Sequence, residues 1–341
     1  MPQLKILFCL LGDRTKASSR VRGYWMAEEL EKRGIKCTIV AGGGRQALLK
    51  ILKKIPIHDV IFFQKNASKW HVRLMGLANS LGKITIFDLD DAPSRINSPV
   101  TLKNAGKMMS NASAVMAGSQ SLLEYAKEYN ENTFYLPTCV KLENYAPLEK
   151  KAPGRPVCLG WIGNGPHYAE DLITILSGPL QQTGATLQVR FKLVGACGDR
   201  RLYNAFSNIA GVEAELIDQI PWGDSEAVRN QLADFDIGLY PVLPNAFNEK
   251  KCGFKALEYM AMGIPVIASP VGVLSNIIEH GKQGFLAGAE KDWNEFIYRL
   301  VAQEELLKTM GQKGKEKVVT DYDIAKAAEF LLEIIKMNIP E

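Results

Sequence analysis

Short apolar runs alternate with longer amphipathic stretches along the first half of the chain. The runs are rich in β-branched and aromatic residues and are bounded by polar segments, a pattern typical of buried parallel strands. Between them, stretches such as Val21–Gly34 carry apolar residues at helical spacing and end at a glycine, the expected helix stop. The alternation predicts an α/β sheet with strands at LKILFCLL from Leu4, IKCTIVAG from Ile35, VIFFQ from Val60, ITIFDLD from Ile84, AVMAGS from Ala114 and FYLP from Phe134.

A second series of the same kind follows LEKKAPGRP, Leu148 to Pro156, whose prolines, glycine and basic residues suit an exposed hinge. Because 341 residues at about 150 per domain make two domains, we expect two doubly wound domains, residues 1–150 and 151–321. The strands of the second are predicted at VCLGWIG from Val157, VRFKLVGA from Val189, VEAELI from Val212, DIGLYPV from Asp236, IPVIASP from Ile264 and GFLAG from Gly284.

Composition and charge exclude several classes of protein. With 47% hydrophobic and 23% charged residues, the chain is predicted to be globular rather than disordered. No apolar run approaches the roughly 20 residues of a membrane-spanning helix. The formal net charge of +4 is too slight to indicate nucleic acid as a partner, although a weakly basic surface could meet anionic lipid.

The cysteines and the first residues bear on the cellular compartment. Met1–Lys5 leads directly into a strand pattern without the apolar segment of a secretory signal, so we expect a cytoplasmic protein. The six cysteines lack the spacing of a zinc site or a disulfide framework. We therefore expect reduced, buried thiols at Cys9, Cys37, Cys139, Cys158, Cys197 and Cys252.

Glycine-containing loops follow several predicted strands. Ligands of doubly wound sheets bind outside the carboxyl ends of the strands, where these loops lie. Gly12–Arg14, Gly163–His167 and Ser269–Gly272 are three such loops. Glycine lets the backbone approach a ligand, and the N–H groups of a following helix can hold phosphate oxygens. Each loop could equally be an ordinary βα turn, which needs glycine in any case.

The segment from Phe247 to Gly272 is the most informative part of the chain. It predicts a helix that ends at Gly263, with Ala256, Leu257, Met260 and Ala261 packed on the sheet. Lys255 and Glu258, three residues apart, share another face near the start of this helix. A lysine beside a helix N-terminus favours phosphate binding, whereas the alternative is an ordinary surface ion pair. The position after the DIGLYPV strand favours the phosphate site.

This segment resembles the donor-site helix of the retaining glycosyltransferases of family 4, which have the GT-B architecture of two Rossmann-like, doubly wound domains facing across a cleft. The resemblance implies that the carboxyl half binds a nucleotide sugar, that the amino half holds the acceptor, and that a terminal helix, 322–341, packs back on the first domain. It extends to GWIGNGPHYAEDL from Gly160, HGKQGFLA from His280, MGQKGKEKV from Met310 and, more loosely, to SSRVRGYWMAEELEKRGIKCTIV from Ser18 and FDLDDAP from Phe87.

The chain departs from the family motif of two glutamates separated by seven residues. The second glutamate corresponds to Glu258, whereas the first falls on Lys250, with Glu249 displaced by one position. The resemblance implies that Glu258 holds the ribose and that Lys255 neutralises the diphosphate, without a metal or a separate cofactor. The other donor-binding residues expected are Gly163, Asn164, His167, Lys250, Ser269, Val271 and Gly272.

Acidic and basic residues mark the expected acceptor side. Asp88, Asp90 and Asp91 end the fourth predicted strand, so a carboxylate, above all Asp90, could meet an acceptor hydroxyl; they could also cap a turn. Arg20 and Arg22 follow Gly12 in a polar stretch and could bind phosphate. Solvated arginines at a helix start are the alternative. Among the histidines only His167, after a glycine loop, is a candidate for donor contact, and His58, His71 and His280 are predicted to be structural.

The stretch from Arg45 to Asp59 has a leucine face and a lysine face. We favour the interpretation that its leucines pack on the sheet, over the alternative of docking on an inner membrane face.

Together these features predict a retaining, metal-independent hexosyltransferase that uses a UDP- or GDP-linked sugar. The acceptor would be a glycan or a lipid-linked hydroxyl in surface polysaccharide biosynthesis, with peripheral contact at the inner membrane face. The alternatives are a nucleotide-sugar 2-epimerase and a non-catalytic GT-B domain that binds a nucleotide sugar or a partner.

Overall fold

The computed structural model describes residues 3–90, 99–146 and 156–339. The chain divides into two compact units: unit 1 comprises Met1–Lys141, Lys250–Cys252 and Tyr322–Glu341, and unit 2 comprises Leu142–Glu249 and Gly253–Asp321. Of the predicted hinge, Leu148–Pro156, all but Pro156 lies outside the described residues.

Unit 1 is built on a six-stranded parallel sheet of order β2-β1-β3-β4-β5-β6. Each of the six strands predicted for this half is confirmed. Their apolar runs are continuous because helices cover both faces of a parallel sheet. The strands are β1 (Lys5–Leu10), β2 (Lys36–Ala41), β3 (Val60–Gln64), β4 (Ile84–Leu89), β5 (Ala114–Ala117) and β6 (Thr133–Tyr135).

The first helical region of unit 1 differs from its prediction. It begins at Ala17 rather than Val21 and contains a π-helical turn, Arg20–Trp25, between two α-helical pieces; π turns of this kind recur at functional sites. Gly34, with φ of 79°, follows its end as predicted. The helices are α1 (Ala17–Ser19), α2 (Met26–Lys32), α3 (Arg45–Lys54), α4 (Lys69–Ser80), α5 (Pro99–Asn111) and α6 (Gln120–Lys127).

Unit 2 repeats the architecture with a parallel sheet of order β12-β11-β10-β7-β8-β9. The six predicted strands are again confirmed, as β7 (Val157–Ile162), β8 (Val189–Val194), β9 (Val212–Ile217), β10 (Ile237–Tyr240), β11 (Val266–Ala268) and β12 (Gly284–Leu286). The helices are α7 (Gly165–Thr186), α8 (Arg200–Phe206), α9 (Ser225–Leu232), α10 (Phe254–Ala261), α11 (Leu274–Ile277), α12 (Glu290–Ala302) and α13 (Glu304–Asp321).

The last helix, α14 (Ile324–Met337), belongs to unit 1 and contacts α2 there. Arg33 donates from its guanidinium to the Ala325 carbonyl over 2.9 Å. Val140 forms a parallel bridge with Asp323. Short 3-10 turns lie at Ile55–Ile57, Leu142–Tyr145 and Asn248–Lys250.

The interior of unit 1 corrects the prediction for Arg45–Asp59. Ile51 and Ile55 are buried in the core between α3 and the sheet, as expected for a helix of this fold. Leu49 and Leu52, however, are 48% and 42% exposed, so these two leucines do not pack on the sheet.

The described cysteines are all free thiols, but three of them are only partly buried. Cys9, Cys139 and Cys158 are buried as predicted, whereas Cys37, Cys197 and Cys252 are half-buried. Burial raises the pKa of the Cys9 thiol, which keeps it protonated and unreactive. Across residues 3–90, 99–146 and 156–339, no helix is long and apolar enough to cross a bilayer.

Candidate functional site

Two loops of unit 2 touch through their backbones at the carboxyl edge of the sheet. Gly165, the first residue of α7, donates its N–H to the Gly195 carbonyl over 2.7 Å, and Gly163 donates to the Val194 carbonyl over 2.9 Å. A Cβ on Gly195 would lie 1.8 Å from the Gly163 oxygen. Only glycine fits there, so these glycines bring the loops after β7 and β8 together beside the N-terminus of α7.

Lys255 lies against this pair of loops. Its Nζ is 3.8 Å from the ring centroid of Tyr168, 5.1 Å from that of Tyr240 and 5.5 Å from that of Trp161. A Cβ on Gly163 would stand 2.5 Å from Lys255 Cε, so the lysine stem crosses the glycine. Aromatic faces attract an ammonium group. The structure therefore brings two predicted donor-site residues, Gly163 and Lys255, into contact.

Glu258 is buried one helical turn further along α10. It is 7% exposed, and its Oε1 accepts a hydrogen bond from the Tyr145 hydroxyl over 2.8 Å. The alternative of a surface Lys255–Glu258 pair is therefore wrong, because Glu258 is buried and Lys255 is half-buried. Sequence reasoning assigned Tyr145 no role, since this residue stands 113 residues from Glu258.

A cavity of about 260 Å³ opens in unit 2 next to the loop after β11. Ser269 and Val271, both predicted donor residues, line it, and Glu249 and Trp293 contribute to its wall. The Ser269 hydroxyl accepts the N–H of Val242 over 3.0 Å, which ties two of the lining loops together.

Glu249 is a candidate that the sequence reasoning left without a role. Its Oε2 accepts the N–H of Gly272 over 3.0 Å. Gly272 has φ of 56°, and a Cβ there would lie 2.6 Å from the Glu249 carbonyl oxygen. Because Gly272, a predicted donor residue, has no side chain, the Glu249 backbone and carboxylate can both approach it closely beside the cavity.

Buried hydrogen bonds hold the loop that carries Glu249. Asp171 Oδ1 accepts from the Leu243 N–H over 2.7 Å and from Asn248 Nδ2 over 3.2 Å. Asn248 Nδ2 also donates to the Leu243 carbonyl over 2.7 Å. Asp171 and Asn248 are both buried, so the loop before Glu249 is held in one conformation.

Lys250 and His167 stand apart from the cavity. Lys250 groups with unit 1, where its Nζ is 5.6 Å from the Tyr125 ring centroid, and it does not line the cavity. The His167 ring packs edge-on against Tyr168 and Phe247, at 5.3 and 5.7 Å. His167 therefore contacts Tyr168, the residue whose ring lies next to the Lys255 ammonium group.

In unit 1, Asp88 near the end of β4 and Asp90 directly after it both have cationic partners. Asp88 forms a buried ion pair with Arg22, which also donates to the Leu136 carbonyl over 2.7 Å. Asp90 Oδ1 is 2.8 Å from Lys65 Nζ. Burial works against the charged form of Asp90, but Lys65 and Arg22 outweigh it and lower its pKa. Asp91 lies outside the described residues.

Gly12 and Arg20 complete the predicted acceptor residues. The Gly12 N–H donates to the Ser19 hydroxyl over 3.1 Å, and Ser19 donates to Gln64 over 3.0 Å. Arg20 is buried and donates to the Arg14 carbonyl over 3.0 Å. Arg20 and Arg22 are therefore not solvated arginines, because both are folded into the π-helical turn and its surroundings.

His71 supplies a pH-dependent test of the unit 1 core. Its pKa is lowered to about 4 by burial. The pKa of an unfolded histidine is about 6.5. The neutral, buried His71 therefore makes its full contribution to the free energy of unfolding above about pH 6.5. This contribution is lost as the pH falls toward 4, by about 3 kcal/mol in total. We expect urea unfolding of His71→Gln to show a correspondingly flatter pH dependence than wild type over that range. Parallel curves for the two proteins would contradict this assignment.

Part of the chain matches the sequence model of a known enzyme family. Residues 156–303 match the family model described as Glycosyl transferases group 1. Apart from Lys250–Cys252, which group with unit 1, this range lies within unit 2 and contains the cavity, Lys255 and Glu258. Over these residues the match confirms the resemblance to glycosyl transferases of group 1.

Two curated relatives carry related descriptions. An uncharacterized glycosyltransferase of Methanocaldococcus jannaschii is 46% identical over 134 residues, 38% of this chain and 36% of that protein. A D-inositol 3-phosphate glycosyltransferase of Nocardia farcinica is 24% identical over 287 residues, 78% of this chain and 61% of that protein. The chain thus matches less than two thirds of the length of either relative.

The fold matches that of solved structures over almost the whole chain. HepE of Anabaena, solved in complex with UDP, aligns with a TM-score of 0.72 at 16% identity and covers 98% of this chain and 100% of that one. The same protein has been solved with UDP-glucose. The predicted GT-B fold of two doubly wound units is confirmed by this likeness.

Proposed function

We propose that this protein is a retaining glycosyltransferase that moves a hexose-type sugar from a nucleoside-diphosphate sugar to an acceptor hydroxyl. The observation that carries the proposal is the contact of Lys255 with the paired glycine loops at the start of α7. Backbone N–H groups, a helix N-terminus and an ammonium group at one place suit a diphosphate. Complexes of the structural relative HepE with UDP and UDP-glucose support the same ligand class.

Lys255 would act on the leaving group. Cleavage of the sugar–phosphate bond leaves negative charge on the diphosphate, and a cation held in advance stabilises that charge as it develops. Its contacts with Tyr168, Tyr240 and Trp161 restrain the ammonium group before the substrate arrives. No metal or separate cofactor is part of the proposed reaction.

Glu258 and Glu249 would recognise different parts of the donor, the ribose and the sugar respectively. Glu258, held by Tyr145, would accept from the ribose hydroxyls. Glu249 and Ser269 line the cavity, which would receive the sugar. Asn164 and His167 would border the phosphates beside α7. Lys250 is left without a role on the donor.

Unit 1 would supply the acceptor side. The groups we assign to it are Asp90, Asp88 with its partner Arg22, and Gly12 and Arg20 in the segment around Arg22. A glycan or a lipid-linked hydroxyl in surface polysaccharide assembly, reached by a cytoplasmic enzyme at the inner membrane face, is the acceptor class we propose.

The first test is a thermal-shift screen against UDP, GDP, CMP and their common sugar conjugates. Ligand binding raises the midpoint by mass action, so one nucleotide class should stabilise the wild type. Release of the free sugar on incubation would then separate a transferase from a binding protein, and epimerised donor would identify the 2-epimerase. The proposal fails if no nucleotide shifts the midpoint.

Glu249 and Lys250 form a matched pair of adjacent residues. Glu249→Ala is expected to weaken binding of the nucleotide sugar by roughly tenfold or more, because a hydrogen bond to a charged group is lost, and to leave binding of the nucleoside diphosphate nearly unchanged. Lys250→Ala should change neither. Isothermal titration with both ligands measures the difference. Equal losses for the two ligands, or an effect confined to Lys250→Ala, would refute the role given to Glu249.

A further inference from the structure

The two central strands of the unit 2 sheet, β7 and β10, stop pairing with each other before they reach its carboxyl edge. Their direct pairing consists of Leu159 with Ile237 and Gly160 with Gly238. Both strands run two residues further, and over those residues each pairs with its outer neighbour, β8 or β11. The strand order also reverses between β7 and β10, and doubly wound sheets bind ligands at such a reversal. Direct pairing is thus interrupted where a ligand would bind.

The hydroxyl of Tyr259, from α10, lies at the end of this ladder. It accepts the N–H of Ile162 over 3.2 Å and donates to the Leu239 carbonyl over 3.5 Å. If the register of Gly160 and Gly238 continued, this N–H would bond that carbonyl directly, as in any parallel ladder. Burial raises the pKa of the Tyr259 phenol, which therefore keeps its proton and can donate. The hydroxyl thus takes the place of one hydrogen bond between the strands.

Close packing fixes the ring of Tyr259. A Cβ on Gly238 would lie 2.3 Å from Tyr259 Cδ2, so the ring lies directly against that glycine. The Phe235 ring packs beside it, with the two centroids 6.0 Å apart, and a Cβ on Gly160 would lie 2.0 Å from Phe235 Cγ. The two glycines that end the direct pairing therefore also admit the two rings. Because the ring is held on several sides, the position of its hydroxyl is fixed.

The strand ends beyond the ladder carry two of the three aromatic rings around Lys255. Trp161 belongs to β7 and Tyr240 to β10, and their ring centroids lie 5.5 and 5.1 Å from Lys255 Nζ. Lys255 precedes Tyr259 by four residues, so the two side chains share one face of α10. The separation of β7 and β10 at this edge therefore sets the distance between the two rings, and with it the place of the ammonium group.

We propose that Tyr259 is a positioning residue whose hydroxyl bridges β7 and β10 and thereby places the Lys255 ammonium group. The inference rests on the proposed function, because Tyr259 matters for transfer only if Lys255 acts on the diphosphate. Without the hydroxyl, the Ile162 N–H and the Leu239 carbonyl lose a shared partner, and the two strand ends can shift. Lys255 would then be displaced from the point where charge develops on the leaving group.

Nuclear magnetic resonance on the full chain, labelled with carbon-13 at the lysine ε position, tests the placement of Lys255 without any nucleotide. The surrounding rings should shift the ε-methylene signal of Lys255 away from those of the other lysines, and Lys255→Met identifies it by its disappearance. Tyr259→Phe removes the hydroxyl but keeps the ring against Gly238 and Phe235, so the variant should fold. We expect Tyr259→Phe to move the Lys255 signal.

Thr85→Val is the matched control. Thr85 is a buried residue of β4, in unit 1, whose hydroxyl likewise accepts a backbone N–H, that of Ser113, over 3.2 Å. It also donates to Asn79 Oδ1 over 2.8 Å. The control therefore loses the same kind of buried strand hydroxyl at a place that does not contact Lys255. Its Lys255 signal should remain where the wild type has it.

A double-mutant cycle then tests whether Tyr259 acts through Lys255. At saturating donor, Tyr259→Phe should lower the single-turnover rate by roughly ten- to hundredfold, the usual effect of a slightly misplaced group. In the Lys255→Met background the same substitution should change the rate by less than about twofold, because the group that Tyr259 places is already gone. Thr85→Val should turn over as wild type in both backgrounds.

Two results would overturn the proposal. An unmoved Lys255 signal in Tyr259→Phe would mean that the hydroxyl does not place the ammonium group. Equal losses of rate in the two backgrounds would mean that Tyr259 serves the fold alone. A wild type that neither binds nor turns over a nucleotide sugar would instead refute the proposed function, and the position of the Lys255 signal would still decide whether Tyr259 places this lysine.

Discussion

Replacing Lys255 by methionine is expected to lower the rate of sugar transfer or donor hydrolysis by roughly 10²- to 10³-fold, the usual cost of removing one preorganised group that stabilises developing charge. Methionine has a side chain of similar length and packs well against aromatic rings such as those of Tyr168, Tyr240 and Trp161, so the variant should fold normally. The measurement is a single-turnover rate at a donor concentration well above the dissociation constant of the donor. Under these conditions the site is saturated, so a change in donor affinity alone does not alter the rate.

The matched control is Lys282→Met, which removes an exposed lysine of the same unit that pairs with Glu279 over 3.0 Å. This variant should turn over as wild type, since the charge it loses is screened by solvent. If Lys255→Met retains the wild-type single-turnover rate, Lys255 does not stabilise the leaving group and the central assignment of the site is wrong.

The largest expected loss of stability follows from breaking the Arg22–Asp88 pair. Both side chains are almost wholly buried, at 3% and 0% exposed. Asp88→Ala removes the carboxylate that pairs directly with the buried Arg22 guanidinium, so the free energy of unfolding should fall by about 3–5 kcal/mol. Urea titration followed by circular dichroism measures it. Unit 1 alone would lose this stability, so a separate early transition is expected.

The double variant Arg22→Met/Asp88→Leu distinguishes the charge from the packing. Removing both charges should recover most of the loss, since an apolar pair of similar volume suits the same interior. Lys308→Met, at an exposed helical ion pair, should leave the unfolding midpoint unchanged. A single variant no less stable than wild type would mean that Asp88 does not compensate the charge of Arg22.

The fold was largely predictable because its signal is local. Each buried strand, such as Val60–Gln64, is an uninterrupted apolar run, and a run needs no information from elsewhere in the chain. The π-helical turn at Arg20–Trp25 was not predicted, since its residues also satisfy ordinary helical spacing. Whether Leu49 or Leu52 is covered depends on what packs beside α3, which periodicity does not encode.

The site was predictable only where a motif carried it. Lys255, Gly163 and Ser269 belong to recognisable loops or to one helix. Tyr145 and Glu258 are 113 residues apart in sequence, and Arg22 and Asp88 are 66 apart. Neither pairing can be detected from a short stretch of sequence. Glu249 was visible but appeared displaced by one position from the motif; the hydrogen bonds of Asp171 and Asn248, which place it, are also long-range.

Unit 1 is assembled from segments made at different times on the ribosome. Its sheet precedes unit 2 in the chain, whereas α14, which contacts α2, is translated after all of unit 2. The surface of unit 1 that α14 later covers therefore stays exposed while the whole of unit 2 is synthesised. During that interval unit 1 is exposed to aggregation and to chaperones, and a stop codon shortly before Tyr322 would spare unit 2 but leave unit 1 permanently incomplete.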